Sequence, residues 1–284
     1  MEDKKIDHYI LTWLSMIEGI DYYIFLKLLK AFNFLENIFE FSKNKMLFQN
    51  ILIQNHVFLS SSIFNQLVSS KLKQDSLYIY NNLKRQEIKF ISIFSKDYPK
   101  YLKEYPETPL LLFVKGNIEF LNSFQYKRIY FYSSNIEIVK HSKSISKILN
   151  YALSKENIIK IFQADINNQL CNKQVVFKVS NIFDINFVSD SFKEDSLCIY
   201  IPENTKYTEL LKCSISDMLF VLNASFEEEI ERIASYMLDM GKQIVTIPGN
   251  ISDSNFSFSN YLLRDGANVV LNIKDIDTIF GNIW

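Results

Sequence analysis

At 284 residues, 48% hydrophobic and 22% charged, the chain can bury a sizeable core in one large and one smaller domain, which excludes wholesale disorder. Its 31 basic and 32 acidic residues leave a net charge of −1, which argues against a strongly basic nucleic-acid-binding surface while leaving room for a local patch. With only 6 glycines, a phosphate loop that needs several close backbone approaches is hard to build. The three cysteines, Cys171, Cys198 and Cys213, are an odd count without metal-ligand spacing and read as reduced core thiols. The start of the chain holds no long apolar stretch and no run approaches about 18 apolar residues, so a soluble cytoplasmic protein with no membrane partner is expected.

From Ile6 to about Glu87 the pattern is helical. Asp7 can cap a helix carrying Ile10, Leu11, Leu14 and Ile17; Gly19 ends it, and Asp21 caps the next, with Ile24, Phe25, Leu28 and Leu29 on one face. Further helices are expected at Leu35 to Phe41, Ser61 to Leu72 and Asp75 to Leu83, with Ser42 to Asn50 as a short connection. The segment from Trp13 to Ile20, followed by a helix and Ala31-Phe32-Asn33, has the outline of a helix-hairpin-helix. Such a hairpin either contacts DNA backbone through its glycine turn or simply packs, and both stay open.

At Ile88 the periodicity changes, which sets the expected domains at residues 1–86 (helical) and 87–284. Lys89 to Phe94 is strand-like; Pro99, Pro106 and Pro109 punctuate an irregular crossing before the apolar run Leu110 to Val114 and the turn Lys115-Gly116-Asn117. Strands follow near Arg128 to Tyr132, Ile158 to Phe162, Val175 to Val179, Phe187 to Ser189, Leu197 to Tyr200, Met218 to Leu222, Gln243 to Ile247 and Val269 to Leu271. Helices are expected at about Glu137 to Leu153, Tyr207 to Ser214, Glu227 to Met240 and Phe258 to Arg264. This alternation is that of an α/β, three-layer domain with a mostly parallel sheet. Met218 to Ile247 reads as one βαβ unit: three acids, Glu227 to Glu229, open its helix where the dipole favours negative charge, and Gly241 ends it. In open parallel sheets ligands bind beyond the carboxyl ends of the strands, so the loop from Pro248 to Asn260 is the first place to look for function.

Two stretches carry a specific resemblance. Asp97-Tyr-Pro-Lys-Tyr-Leu102 and Tyr105-Pro-Glu-Thr-Pro-Leu-Leu-Leu-Phe-Val-Lys-Gly-Asn117 form the first. Gly241-Lys-Gln-Ile-Val-Thr-Ile-Pro-Gly-Asn250, with Asn260, Leu262-Leu-Arg-Asp-Gly-Ala267 and Asp275-Ile276, form the second. In this order and spacing they resemble the entry and closing segments of the DprA/Smf family. The resemblance covers residues 97–121 and 241–280 well and the region between poorly. It implies an extended Rossmann-like domain behind a small helical one; with the sequence stopping at Trp284, no winged helix is expected after it. It also implies non-enzymatic binding of single-stranded DNA and loading of a RecA-type recombinase in natural transformation, by a homodimer without cofactor.

The pocket departs from that pattern. Where the family carries Gly-Ser-Arg or Gly-Thr-Arg, this chain has Ser133-Ser134-Asn135, which can hydrogen-bond a phosphate but brings no charge. The family's Arg-Asn-Arg segment is missing; Lys206 and Lys212 are the remaining cations, and Glu228-Glu229 replaces Ser-Gly at a helix start that would face phosphate. The candidate DNA-binding residues are therefore Ser133, Ser134, Asn135, Lys206, Lys212 and Asn260, with Lys140 and Lys143 near them, and the binding is expected to be weakened. A scaffold that has lost DNA binding is the second reading. A related nucleotide hydrolase is the third, but Pro248-Gly249-Asn250 lacks its second glycine and threonine. His8, His56 and His141 lie far apart without a Cys or Ser partner, and the acid cluster at Glu227 to Glu231 lacks metal-ligand partners, so no catalytic residue and no metal are expected.

Overall fold

The computed structural model describes residues 8–122, 124–162, 172–184, 186–187, 195–203 and 207–281. By its internal contacts the chain divides into two units. One is Met1–Lys115 with Lys178–Ser191 and Ile199–Tyr207; the other is Gly116–Phe177 with Phe192–Cys198 and Thr208–Trp284. The expected break at 86/87 lies inside the first unit, where a strand pair joins the helices.

In that first unit the helices are α1 (His8–Ser15), α2 (Tyr22–Phe32), α3 (Leu35–Phe41), α4 (Lys45–Gln54), α5 (Ser61–Leu67) and α6 (Ser70–Arg85). Asp21 caps α2 as expected, its carboxylate accepting from the Ile24 N–H at 2.6 Å; Asp7 lies outside the described residues. Two expectations are corrected. The stretch Ser42 to Asn50 is not a connection: Asn44 accepts from the Leu47 N–H and starts α4, which buries Phe48 and Leu52. The helix expected over Ser61 to Leu72 ends at Leu67, because Ser69 caps α6 by accepting from the Leu72 N–H. Trp13 meets Phe39 edge-on and Phe32 stacks on Phe48, building a core from side chains three and four apart. The Gly19 turn is packed under α5: Ile63 lies 3.3 Å from where a Cβ would stand, and Gln66 accepts from the Glu18 N–H. The strands β1 (Lys89–Ser92) and β2 (Leu111–Gly116) pair antiparallel.

The second unit begins its α/β pattern after the short α7 (Glu119–Asn122). Its strands are β3 (Lys127–Ser133), β4 (Ile158–Phe162), the start of β5 (Gln174–Ser180), β7 (Met218–Asn223), β8 (Gln243–Thr246) and β9 (Asn268–Val269), with β6 (Ser196–Pro202) divided between the units. Side by side they run β5-β4-β3-β7-β8-β9, every neighbour parallel. The mostly parallel α/β sheet is therefore present, and its near-continuous apolar strands are what a sheet covered on both faces requires. Ile129 and Phe131 of β3 join one core with α8 (Ile136–His141), α9 (Lys143–Leu153) and α13 (Ile273–Gly281). Tyr130, on the opposite face by the two-residue period of a strand, lies under α10 (Thr208–Ile215), which packs on α11 (Glu228–Asp239). α12 (Ser257–Arg264) follows β8.

The helix expected over Glu137 to Leu153 is two, because Ser142 caps α9 and breaks the run. α13 was not expected; Asp275 starts it by accepting from the Leu271 and Asn272 N–H groups. Phe187 is not in a strand and the remainder of that expected strand lies outside the described residues, as does Cys171. Cys198 and Cys213 are buried and in no disulfide, and burial pushes the Cys213 thiol up to about 12, which keeps it protonated and inert. Gly241 and Gly266 both take positive φ after their helices, and the Lys242 and Ala267 N–H groups reach back to the Met237 and Leu262 carbonyls.

Candidate functional site

At the carboxyl end of β3 the ladder to β7 slips: Tyr132 pairs with Val221 but Ser133 with Asn223. That bulge turns a strand end into a polar platform. The Ser133 hydroxyl donates to the Asn223 Oδ1 at 2.5 Å, and the Asn223 amide donates to the Asn135 carbonyl at 3.2 Å. The Ser134 N–H donates to the Asn223 carbonyl, and the Ser225 N–H reaches the Ser134 hydroxyl. Asn135 caps α8 through the Glu137 N–H, and its amide donates to the Asn255 Oδ1 at 3.5 Å. The serine-serine-asparagine turn and the loop after β8 thus meet at one rim of a parallel sheet, where ligands of such sheets are held.

The loop itself is held from behind. Asn260 clamps the corner, accepting from the Gly249 N–H and donating to the Gly249 carbonyl, both at 3.2 Å. Gly249 is there because a Cβ would stand 1.9 Å from Phe256 Cγ. The Phe258 and Ser259 N–H groups bond the Ala224 carbonyl, which ties α12 to the end of β7.

The six sequence-derived candidates therefore have different surroundings. Ser133 is 4% exposed and Asn260 is spent on the corner. Ser134 and Asn135 are half-buried at the rim. Lys212 is 6% exposed, with its amine 5.6 Å from the Tyr130 ring centre and 5.7 Å from that of Phe177. Tyr130 is three residues before Ser133, so this cation stands about 10 Å below the rim. Lys206 lies outside the described residues. Lys140 is paired with Glu137 at 2.7 Å, which holds the Glu137 carboxyl below its usual range, while Lys143 is exposed in the first turn of α9. Asn223, Ser225 and Asn255 complete the rim and were not singled out from sequence; the asparagine that ends the apolar run of β7 was the available signal.

Helix starts at such a rim favour anions, and here the chain supplies its own. Glu137 sits in the first turn of α8, Glu209 in that of α10, and Glu228 and Glu229 in that of α11. Burial, and then Glu209, hold the Glu229 carboxyl above its usual range. Among the described residues no cluster of three metal-ligating side chains occurs, and no helix is long and apolar enough to cross a membrane.

No protein-family model matches the sequence, and no curated protein does. The chain is similar to the solved structure of DNA processing protein A (DprA) from Streptococcus pneumoniae, with a TM-score of 0.51 at 16% identity over 87% of this chain and 98% of that one. It has the fold of DprA. A second similar structure is DprA from Helicobacter pylori, at TM-score 0.51 and 15% identity, over 70% of this chain and 99% of that one. The Helicobacter protein binds single-stranded DNA, in a mode described as unique. At these identities the likeness to DprA is one of fold, and the rim has to be judged on its own residues.

Proposed function

We propose that this chain is a divergent DprA-like protein that handles single-stranded DNA without catalysis, binding it weakly at the carboxyl rim of the parallel sheet. A RecA-type recombinase, in DNA processing during natural transformation, and a second copy of the chain are the partners of that reading. The observation that carries it is the meeting of the Ser133 to Asn135 turn with the Pro248 to Asn260 loop at one rim, through Asn135 and Asn255. The DprA fold supports it. Serine hydroxyls, asparagine amides and Lys143 are the groups a phosphate would meet, with Lys206 a further candidate; binding through them is weak because most of the amides already bond each other.

One observation favours the second reading, a scaffold without DNA binding: Glu228 and Glu229 at the start of α11 repel a phosphate. Titration of a labelled oligonucleotide at two salt concentrations separates the two. The proposal expects detectable low-salt association whose log affinity falls with log salt by roughly 0.7 per phosphate neutralised, for one or two phosphates. No association at low salt leaves the scaffold. Release of free base from nucleoside monophosphates would overturn both in favour of a hydrolase.

A further inference from the structure

In the helical unit, α4 is apolar on two sides. Phe48 and Leu52 face inward, with Phe48 stacked on Phe32 at 4.7 Å between ring centres. On the outward side Met46, Asn50 and Ile53 follow one another at spacings of four and three, so they form one stripe, flanked by Leu47. Met46 is 77% exposed and Ile53 58%. The helix closes on a left-handed residue: His56, at a φ of 55°, donates its N–H to the Ile53 carbonyl, and the Val57 N–H reaches back to the Leu52 carbonyl at 2.9 Å. Val57 is buried and anchors this turn, which holds Phe58 at the helix end with 84% of it exposed. Single exposed apolar residues are ordinary, but three on one short helix and its cap, behind a face already buried, make a patch.

The charge carried by this stretch has one sign. Between Glu40 and Asp75 the sequence holds no acid and four lysines, Lys43, Lys45, Lys71 and Lys73. Lys43 takes up Glu40 at 2.7 Å, and Lys73 is turned in over the Trp13 and Phe39 rings. Lys45 and Lys71 are exposed and, among the described residues, in no ion pair; the Lys45 amine stands 5.8 Å from the Phe64 ring centre. The polar residues beside the stripe, Gln49, Asn50 and Gln54, are exposed and neutral. A second copy docked here about a two-fold axis would bring the same lysines against each other. Side chains that project this far need a medium that yields around them, whereas a protein partner would have to carry a pocket for each.

We propose that the outward face of α4 lies on an anionic lipid surface. Met46, Ile53 and Phe58 enter the boundary between headgroups and acyl chains, the neutral amides meet the headgroups, and Lys45 reaches a lipid phosphate. A helix lying on a membrane needs neither the length nor the apolarity of one that spans it, so the expectation of no membrane partner, which rested on spanning length, does not bear on this face. The assignment is independent of whether the rim holds DNA. The test sediments the full chain with phosphatidylcholine vesicles, with and without phosphatidylglycerol. The anionic vesicles should carry the protein down, and the neutral ones about tenfold less. Met46→Ser with Phe58→Ser should weaken association with the anionic vesicles by about tenfold or more, the loss of two inserted apolar side chains. Lys45→Gln should weaken it about fivefold, the worth of one lysine near an anionic surface. All three positions are exposed, and circular dichroism checks that the variants fold. Equal binding to both kinds of vesicle, no binding to the anionic ones, or undiminished binding by the Met46→Ser, Phe58→Ser chain would each overturn the proposal. So would a lipid-free dimer in sedimentation that this double variant dissociates, which would give the face to a second copy.

Discussion

The two ends of the parallel sheet in the second unit are chemically opposite. At the amino ends of the strands the cations are embedded. Arg128 grips Asp217 through Nε and Nη2 at 3.0 and 2.7 Å and also reaches the Leu121 carbonyl. Lys127 donates to the Phe280 carbonyl at the end of α13, Lys242 to the last carbonyls of α10, and Lys155 pairs with Asp277. At the carboxyl ends stand serines, asparagines and the acids of the helix starts. The cause is common to both: in a parallel sheet the crossover helices end at the amino edge, where orphan carbonyls and negative dipole ends call for cations, and start at the carboxyl edge, where they call for anions. This chain answers both demands with its own side chains. A near-neutral balance thus conceals basic residues committed to structure, and a rim whose anion positions are already taken.

The largest effect should come at the amino edge. Asp217→Ala leaves Arg128 half-buried without its partner, and the unfolding midpoint in urea should fall by the equivalent of about 2–3 kcal/mol, the worth of charged hydrogen bonds; an unchanged midpoint would mean the pair is not structural. At the rim, Gly249→Ala forces Phe256 aside and should cost about 2 kcal/mol by overpacking, read as a lower urea midpoint; an unchanged midpoint would mean that the corner yields freely.

A smaller effect carries the sign of the acid placement. Because the Glu229 carboxyl is held above its usual range, the folded chain binds that proton more tightly than the unfolded one. Stability from this group is present at acid pH and is lost as pH rises from the ordinary glutamate range through the raised value. Glu229→Gln should therefore raise the melting temperature at neutral pH and lose that advantage as pH falls below the usual carboxylate range. Equal shifts at both pH values would show the charge to be irrelevant. Smallest of all, Lys143→Ala should lower the salt slope of oligonucleotide binding by about 0.7 and leave stability unchanged.

Much of the architecture was legible because strong periods are hard to misread. Leu35–Phe41 and Ile158–Phe162 form as expected to the residue, and Met218–Asn223 within one. What failed was punctuation by small polar residues. Asn44, Ser69 and Ser142 are caps whose side chains bond the N–H three residues on, inside stretches that otherwise read as loop or as continuous helix. The rim was legible as a place, since a proline-glycine corner after a parallel strand marks the carboxyl edge. Its chemistry was less so. Lys212 reads as a surface cation, yet it stands among Leu210, Leu211 and Cys213, and the whole run from Leu210 to Ile215 is buried, so the helix is covered on every side. Asn223, the polar end of an apolar run, marks the end of the strand, but nothing in that run foretells the bulge that turns its amide toward Ser133 and Asn135.

The idea that acids at the helix starts occupy the place of a bound phosphate is tested most directly by one titration. A labelled single-stranded oligonucleotide is added at low salt to the unaltered chain and to the Glu228→Gln, Glu229→Gln variant. Neutralising two charges near a helix start, each worth up to about 1 kcal/mol, should tighten association roughly tenfold. Equal affinity for the two proteins would contradict the account.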